Sequence, residues 1–134
     1  MSKAPEQEIA DALAANKTLV KEVGPVVLSE PPRPMRPPFV VCSLIGDANG
    51  RRFFTGYSGE MLLQFDLYGK SYEAAGGRAA LKKALRSLRG TVGELRGVWV
   101  VVTNEISLGL VETGMFRWTV DATVYWEENN ASSE

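Results

Sequence analysis

Histidine is absent from the 134 residues. That removes Ser-His-Asp and Cys-His catalytic arrangements, histidine general bases and histidine metal ligands. Cysteine occurs once, at Cys42, so neither an intrachain disulfide nor a Cys-rich zinc site can form, and a reducing compartment fits best. No apolar run approaches the roughly 18–20 residues of a membrane span. The opening MSKAPEQEIADALAANK has no apolar core of a secretory signal. Neither sign of charge dominates: 15 basic residues face 16 acidic ones, a net charge of −1, which argues against generic nucleic-acid binding. Together these absences lean against an enzyme, an exported protein and a membrane protein.

What is present is ordinary globular composition, with 45% hydrophobic and 23% charged residues. The length is room for one domain with an unstapled core. The charge is segregated. Lys70 to Arg96 holds seven basic and two acidic residues, net +5, and Glu105 to Glu134 holds one basic and six acidic, net −5. Such a subunit suits head-to-tail association with its own copies, although two solvated faces would look the same.

The periodicity predicts a helix over Pro5 to Val23, with Ile9, Leu13 and Val20 on its stripe, Glu6 and Glu8 in its first turn, and Gly24-Pro25 as its stop. The segment SEPPRPMRPP, Ser29 to Pro38, can be neither helix nor central strand, because five prolines fix φ and remove donors. It reads as a rigid extended connector, and its P-x-x-P spacings also allow a ligand for an SH3-type domain. Phe39 to Ile45 reads as a buried strand enclosing Cys42 as an inert core thiol. Asn49-Gly50 marks a tight turn, and Arg51 to Tyr57 a short second strand. Glu60 to Tyr68 alternates, with Met61, Leu63, Phe65 and Leu67 on one side. Tyr72 to Arg89 is a second helix with Leu81, Leu85 and Leu88 on its apolar stripe. Val98 to Leu108 and Met115 to Trp126 read as a long hairpin joined around Gly109–Gly114. In its second arm Phe116, Trp118, Val120, Ala122, Val124 and Trp126 share the core face.

These elements predict an α+β fold: a single mainly antiparallel sheet of four or five strands, including the long C-terminal hairpin, with two helices packed on one face. Residues 1–128 form one domain and 129–134 a disordered tail.

No string carries recognisable chemistry. GYSGE, Gly56 to Glu60, falls one residue short of a nucleophile elbow and reads as a turn. GDANGRR lacks the Gly-Lys-Ser/Thr ending of a phosphate loop, and no dinucleotide fingerprint precedes Gly76-Gly77. No catalytic residue, metal set or cofactor is expected. The informative feature is a basic stripe on the second helix. Arg78, Lys82, Arg86 and Arg89 recur at steps of four, four and three, with no acid partner at i+4 on the helix. A carboxylate row on a partner would relieve their mutual repulsion. A phosphate backbone would do the same. The default role of Trp99, Trp118 and Trp126 is core packing, and Trp126 could instead anchor a subunit contact.

In order and pattern, IADALAANKTLVKEVGPVVLSEPP…PPFVVCSLIG resembles the opening of the phage tail terminator family, also called tail completion or tail-to-head joining proteins. MLLQFDLYGKSYEAAGGRAALKKALRSLRG resembles that family's strand, loop and alanine/leucine helix, and FRWTVDATVYW its closing strand. The resemblance implies a structural virion protein of long-tailed phages that forms a ring, typically hexameric. Such a ring caps the tail tube, halts its polymerisation and joins tail to head, with DNA passing through the lumen without sequence-specific binding. Implied partners are other copies of the chain, the tail tube protein and the head–tail connector protein, with no membrane. The implied location is the head-proximal end of the virion tail, after assembly in the host cytoplasm. On this reading Arg78, Lys82, Arg86 and Arg89, with the acidic Glu112 and Asp121, are the candidate subunit or tail interface. Another head–tail connector component, a nucleic-acid-binding α+β module using helix 72–89, and an enzyme of unknown type remain alternatives.

Overall fold

The computed structural model describes residues 4–28, 38–47, 52–53, 56–70, 73–110 and 115–128. The elements in chain order are α1 (Pro5–Ala14), α2 (Lys17–Val23), β1 (Val26–Leu28), β2 (Phe39–Asp47), β3 (Arg52–Phe53), β4 (Gly56–Gly69), α3 (Glu73–Arg86), β5 (Gly90–Val92), β6 (Leu95–Leu110) and β7 (Phe116–Glu128).

The single N-terminal helix expected over Pro5 to Val23 is two helices. The break falls where a side chain competes with the backbone: Asn16 caps α2, its Oδ1 accepting from the Leu19 amide at 3.0 Å. Pro5 opens α1, where its missing N–H costs nothing. Gly24 ends α2 with φ +77°, its amide donating to the Val20 carbonyl at 2.8 Å. A Cβ there would overlap the Pro38 carbonyl, so a side chain would meet both strain and a clash.

The expectation of a mainly antiparallel sheet of four or five strands with two helices is corrected. Six strands lie in the order β1-β2-β4-β7-β6-β5, with β3 added beside β4, and the mixed sheet curls into a half-barrel with three helices. The mixing comes from β1, which pairs parallel to β2, Val26 opposite Val40 and Leu28 opposite Cys42. Three residues directly after a helix stop carry too little alternation to announce a strand. The same is true of β5, which pairs with the start of β6. Gly56 to Glu60 is also not a turn but the first part of β4, with Gly59 opposite Trp126. A Cβ at Gly59 would overlap the Trp126 indole, so glycine is there for the ring that lies on it. Register shifts interrupt β2/β4 once and β6/β7 three times. Such bulges sharpen twist and let strands of 13–16 residues curl.

The alternation read in the two central strands holds. Met61, Leu63, Phe65 and Leu67 of β4 and Val120, Ala122, Val124 and Trp126 of β7 are buried on one face. They pack with Ile9, Leu13, Leu19 and Val23 of α1 and α2 and with Leu81, Ala84 and Leu85 of α3. Trp126 is therefore a core residue. Trp99 departs from the core expectation: it is 54% exposed and stacks on Tyr125 at 4.7 Å between ring centroids. The proline segment 29–37, the Asn49-Gly50 turn, Tyr72, residues 111–114 and the 129–134 tail lie outside the described residues.

Candidate functional site

The basic stripe of α3 divides into two halves. Arg78 and Lys82 reach across to Glu105 of β6, with Arg78 Nε 2.8 Å from Oε2 and Lys82 Nζ 2.9 Å from Oε1. Glu105 lies opposite Val120 in the β6/β7 ladder, on the face that carries the helices, which is why it meets α3. The Arg78 guanidinium also lies 5.7 Å from the centroid of the Trp118 ring, a cation–π distance. The acid that relieves the first half of the row thus comes from the chain itself. Only tertiary structure brings it, because Glu105 is 23 residues beyond Lys82 in sequence.

Arg86, the last residue of α3, and Arg89 form the second half; the helix expected to run to Arg89 stops at Arg86, so Arg89 lies beyond it. Both are exposed, as is the neighbouring Lys83, and none of the three has an ion pair among the described residues. Asp121 sits in the central strand β7, half-buried, between Gln64 of β4 and Asn104 of β6 on the face without helices. Its Oδ1 is buried without a hydrogen-bond partner. The structure therefore places Asp121 on the opposite face of the sheet from the α3 stripe. Glu112 lies outside the described residues.

The helix-free face carries a polar centre that the sequence reading passed over. Asp66 of β4 is 6% exposed. Its Oδ1 accepts from Thr119 Oγ1 at 2.8 Å and from Arg117 Nε at 3.2 Å, and Arg117 Nη2 lies at 3.1 Å. The Arg117 guanidinium lies over Tyr68, which in turn stacks on Phe39 at 4.9 Å. The signal was present as cross-strand complementarity, an acid on one strand and Arg and Thr two residues apart on another. It became readable only once β4 and β7 were known to be neighbours in register.

The remaining feature is where apolar side chains stay exposed. Among the described residues the exposed large hydrophobics are Leu44 and Ile45 of β2 and Trp99, Val101, Ile106 and Leu108 of β6. None lies on a helix or on the central strands. Among the described residues no cluster of three or more His, Cys, Asp or Glu side chains is gathered in a metal-binding arrangement, and no helix is long and apolar enough to cross a membrane.

The fold is shared with a virion chain. A chain in the solved virion of a native gene transfer agent particle is similar over 93% of this chain and 96% of its own, with a TM-score of 0.69 and 20% identity. A second solved structure, without a descriptive name, is similar over 94% of this chain and 98% of its own, with a TM-score of 0.55 and 11% identity. At these identities the likeness is one of fold. No protein-family model matches the chain, and no curated protein matches it.

Proposed function

We propose that the chain is a structural component of a phage or phage-like virion, and specifically a non-enzymatic tail terminator. In this role it forms a ring, of six copies in the resembling family, on the last turn of the tail tube. It stops tube growth and offers the surface that joins tail to head, while DNA passes through the lumen. The observation that carries the reading is the fold shared, nearly end to end, with a chain of a gene transfer agent virion. It is supported by the order of helix, proline segment, strands and helix that resembles the tail terminator family. Arg86 and Arg89, exposed and without an acid partner among the described residues, are the part of the stripe left for an acidic surface on a neighbour or tail component.

The test is electron microscopy of particles made without this protein. Overlong tubes that fail to join heads are the expected outcome. Tails of normal length that fail to join heads would favour the other connector role and reject termination. Normal particles would reject both.

A further inference from the structure

We propose that the open edge of β6 receives the β1–β2 edge of a second copy of this chain, so that the sheet continues head to tail from subunit to subunit. The inference rests on the ring reading and names the surface through which the ring closes.

Three observations carry it. First, both ends of the sheet are unfinished among the described residues. β5 pairs with β6 only between Leu95 and Val98, which leaves Trp99 to Leu110 with no neighbour on that side. At the other end β1 pairs with β2 only at Val40 to Cys42, which leaves residues 43–47 without one. Unpaired edges of this length invite another strand, and single-chain proteins blunt them with charge, proline or a covering element. Here α3 and its ion pairs to Glu105 lie on one face of β6, and the exposed side chains of the two strands include large apolar ones. Among the described residues, all six exposed large hydrophobics are on these two strands. Together they present on the order of 500 Å², a third of the roughly 1,600 Å² that a standard interface buries.

Second, the strand directions agree. β2 is antiparallel to β4, β4 to β7, and β7 to β6. β2 and β6 therefore run in opposite directions. Two copies in the same orientation, placed edge to edge, set β2 of one antiparallel to β6 of the next. Because the two edges differ, the contact is heterologous, the kind that builds rings.

Third, the helices beside the two edges are opposite in charge. α3 packs on β6 and carries Lys83 and Arg86 exposed, beyond the Arg78 and Lys82 that Glu105 already answers. α1 packs on β1, and to a lesser extent on β5, and carries the half-buried Glu6 and Asp11 with no basic residue, its Glu8 being buried against the Glu94 amide. Head-to-tail pairing brings an acidic helix toward a basic one, whereas β6-to-β6 pairing brings two basic helices together.

The test uses the full chain, purified and in assembled particles that contain it. Ile45→Cys and Ile106→Cys are introduced singly and together, and a short bismaleimide is applied before denaturing electrophoresis. Cys42, buried, stays in place. A ladder of multimers is expected from the double variant, dimers from a mixture of the two single variants, and monomer from either single variant alone. Dimers from Ile106→Cys alone would show β6 pairing with itself and overturn the inference, as would monomer in every case. In parallel, Val101→Lys/Ile106→Lys is compared with the wild type by light scattering, with circular dichroism as the check on folding. Loss of the multimer at least tenfold in concentration is expected, and an unchanged multimer would overturn the inference. A double variant that still forms the ring but shows no edge cross-link removes this interface and leaves the ring reading standing. A wild-type chain that forms no cyclic multimer in solution or in particles removes both.

Discussion

Asp66 illustrates how a polar group is held under a sheet surface with no helix above it. It is nearly inaccessible, and its charge is answered by Arg117 and the Thr119 hydroxyl. Asp66→Ala leaves Arg117 without its acid and Thr119 without its acceptor, so a loss of about 2–3 kcal/mol is expected in urea unfolding. A loss below about 0.5 kcal/mol would mean that the cluster is ornamental. Cys42 tests burial differently. Burial, with a smaller contribution from the Glu6 charge, pushes its thiol up from 9.0 to about 12. Below pH 9 the folded and unfolded chains both keep the proton, and stability does not depend on it. Above pH 9 the unfolded chain ionises while the folded chain does not. Stability should therefore fall by up to about 1.4 kcal/mol per pH unit until the folded thiol also ionises. Comparing unfolding of the wild type and Cys42→Ala between pH 8 and 10.5 isolates this slope, which the variant should lack.

At the scale of the element, one charge row on α3 and just beyond its end has two uses. Arg78 and Lys82 clamp the helix to β6 through Glu105, with side chains 37%, 27% and 26% exposed. Pairs this accessible are partly screened, so Glu105→Gln should cost only about 0.5–1.5 kcal/mol and lose that difference at high salt. Arg86→Glu/Arg89→Glu touches no ion pair among the described residues and should leave stability within about 0.5 kcal/mol of the wild type. If the second half of the row meets a partner, that variant and not Glu105→Gln should fail to assemble. Equal assembly by both variants would assign Arg86 and Arg89 to solvent. The row was legible in the sequence as spacing. Its division was not, because a helical repeat cannot say which turn lies beneath a strand carboxylate.

For the whole molecule, a single core gathers residues from all three helices and from six of the strands, among them Leu19, Leu81, Val26, Leu63, Val92 and Val120. No element owns a core of its own, so the described chain should unfold as one unit. Leu81→Ala should lower stability by about 2–5 kcal/mol, with Trp fluorescence and far-ultraviolet circular dichroism still changing together. Separate transitions would show that α1 and α2 unfold independently of the sheet. The same core explains which strands could be read. β4 and β7 bury one face and leave the other partly open along their length, so their sequences alternate. β1 and β5 are three residues each and take their strand character from a neighbour's ladder.

Local rules, acting over neighbouring residues, determined the two central strands with their inward faces, the helix stop at Gly24 and the absence of histidine and disulfide chemistry, while the helices expected over 5–23 and 72–89 proved to be two helices and one ending at Arg86. Contacts between residues distant in sequence decided the rest: the parallel β1/β2 pair, the curl of the sheet, the seat of Glu105 under the α3 stripe, and the apolar side chains left exposed on β2 and β6. The physical reason is that propensity and period are properties of a segment. Strand order, ion pairing and unfilled edges arise only when segments meet.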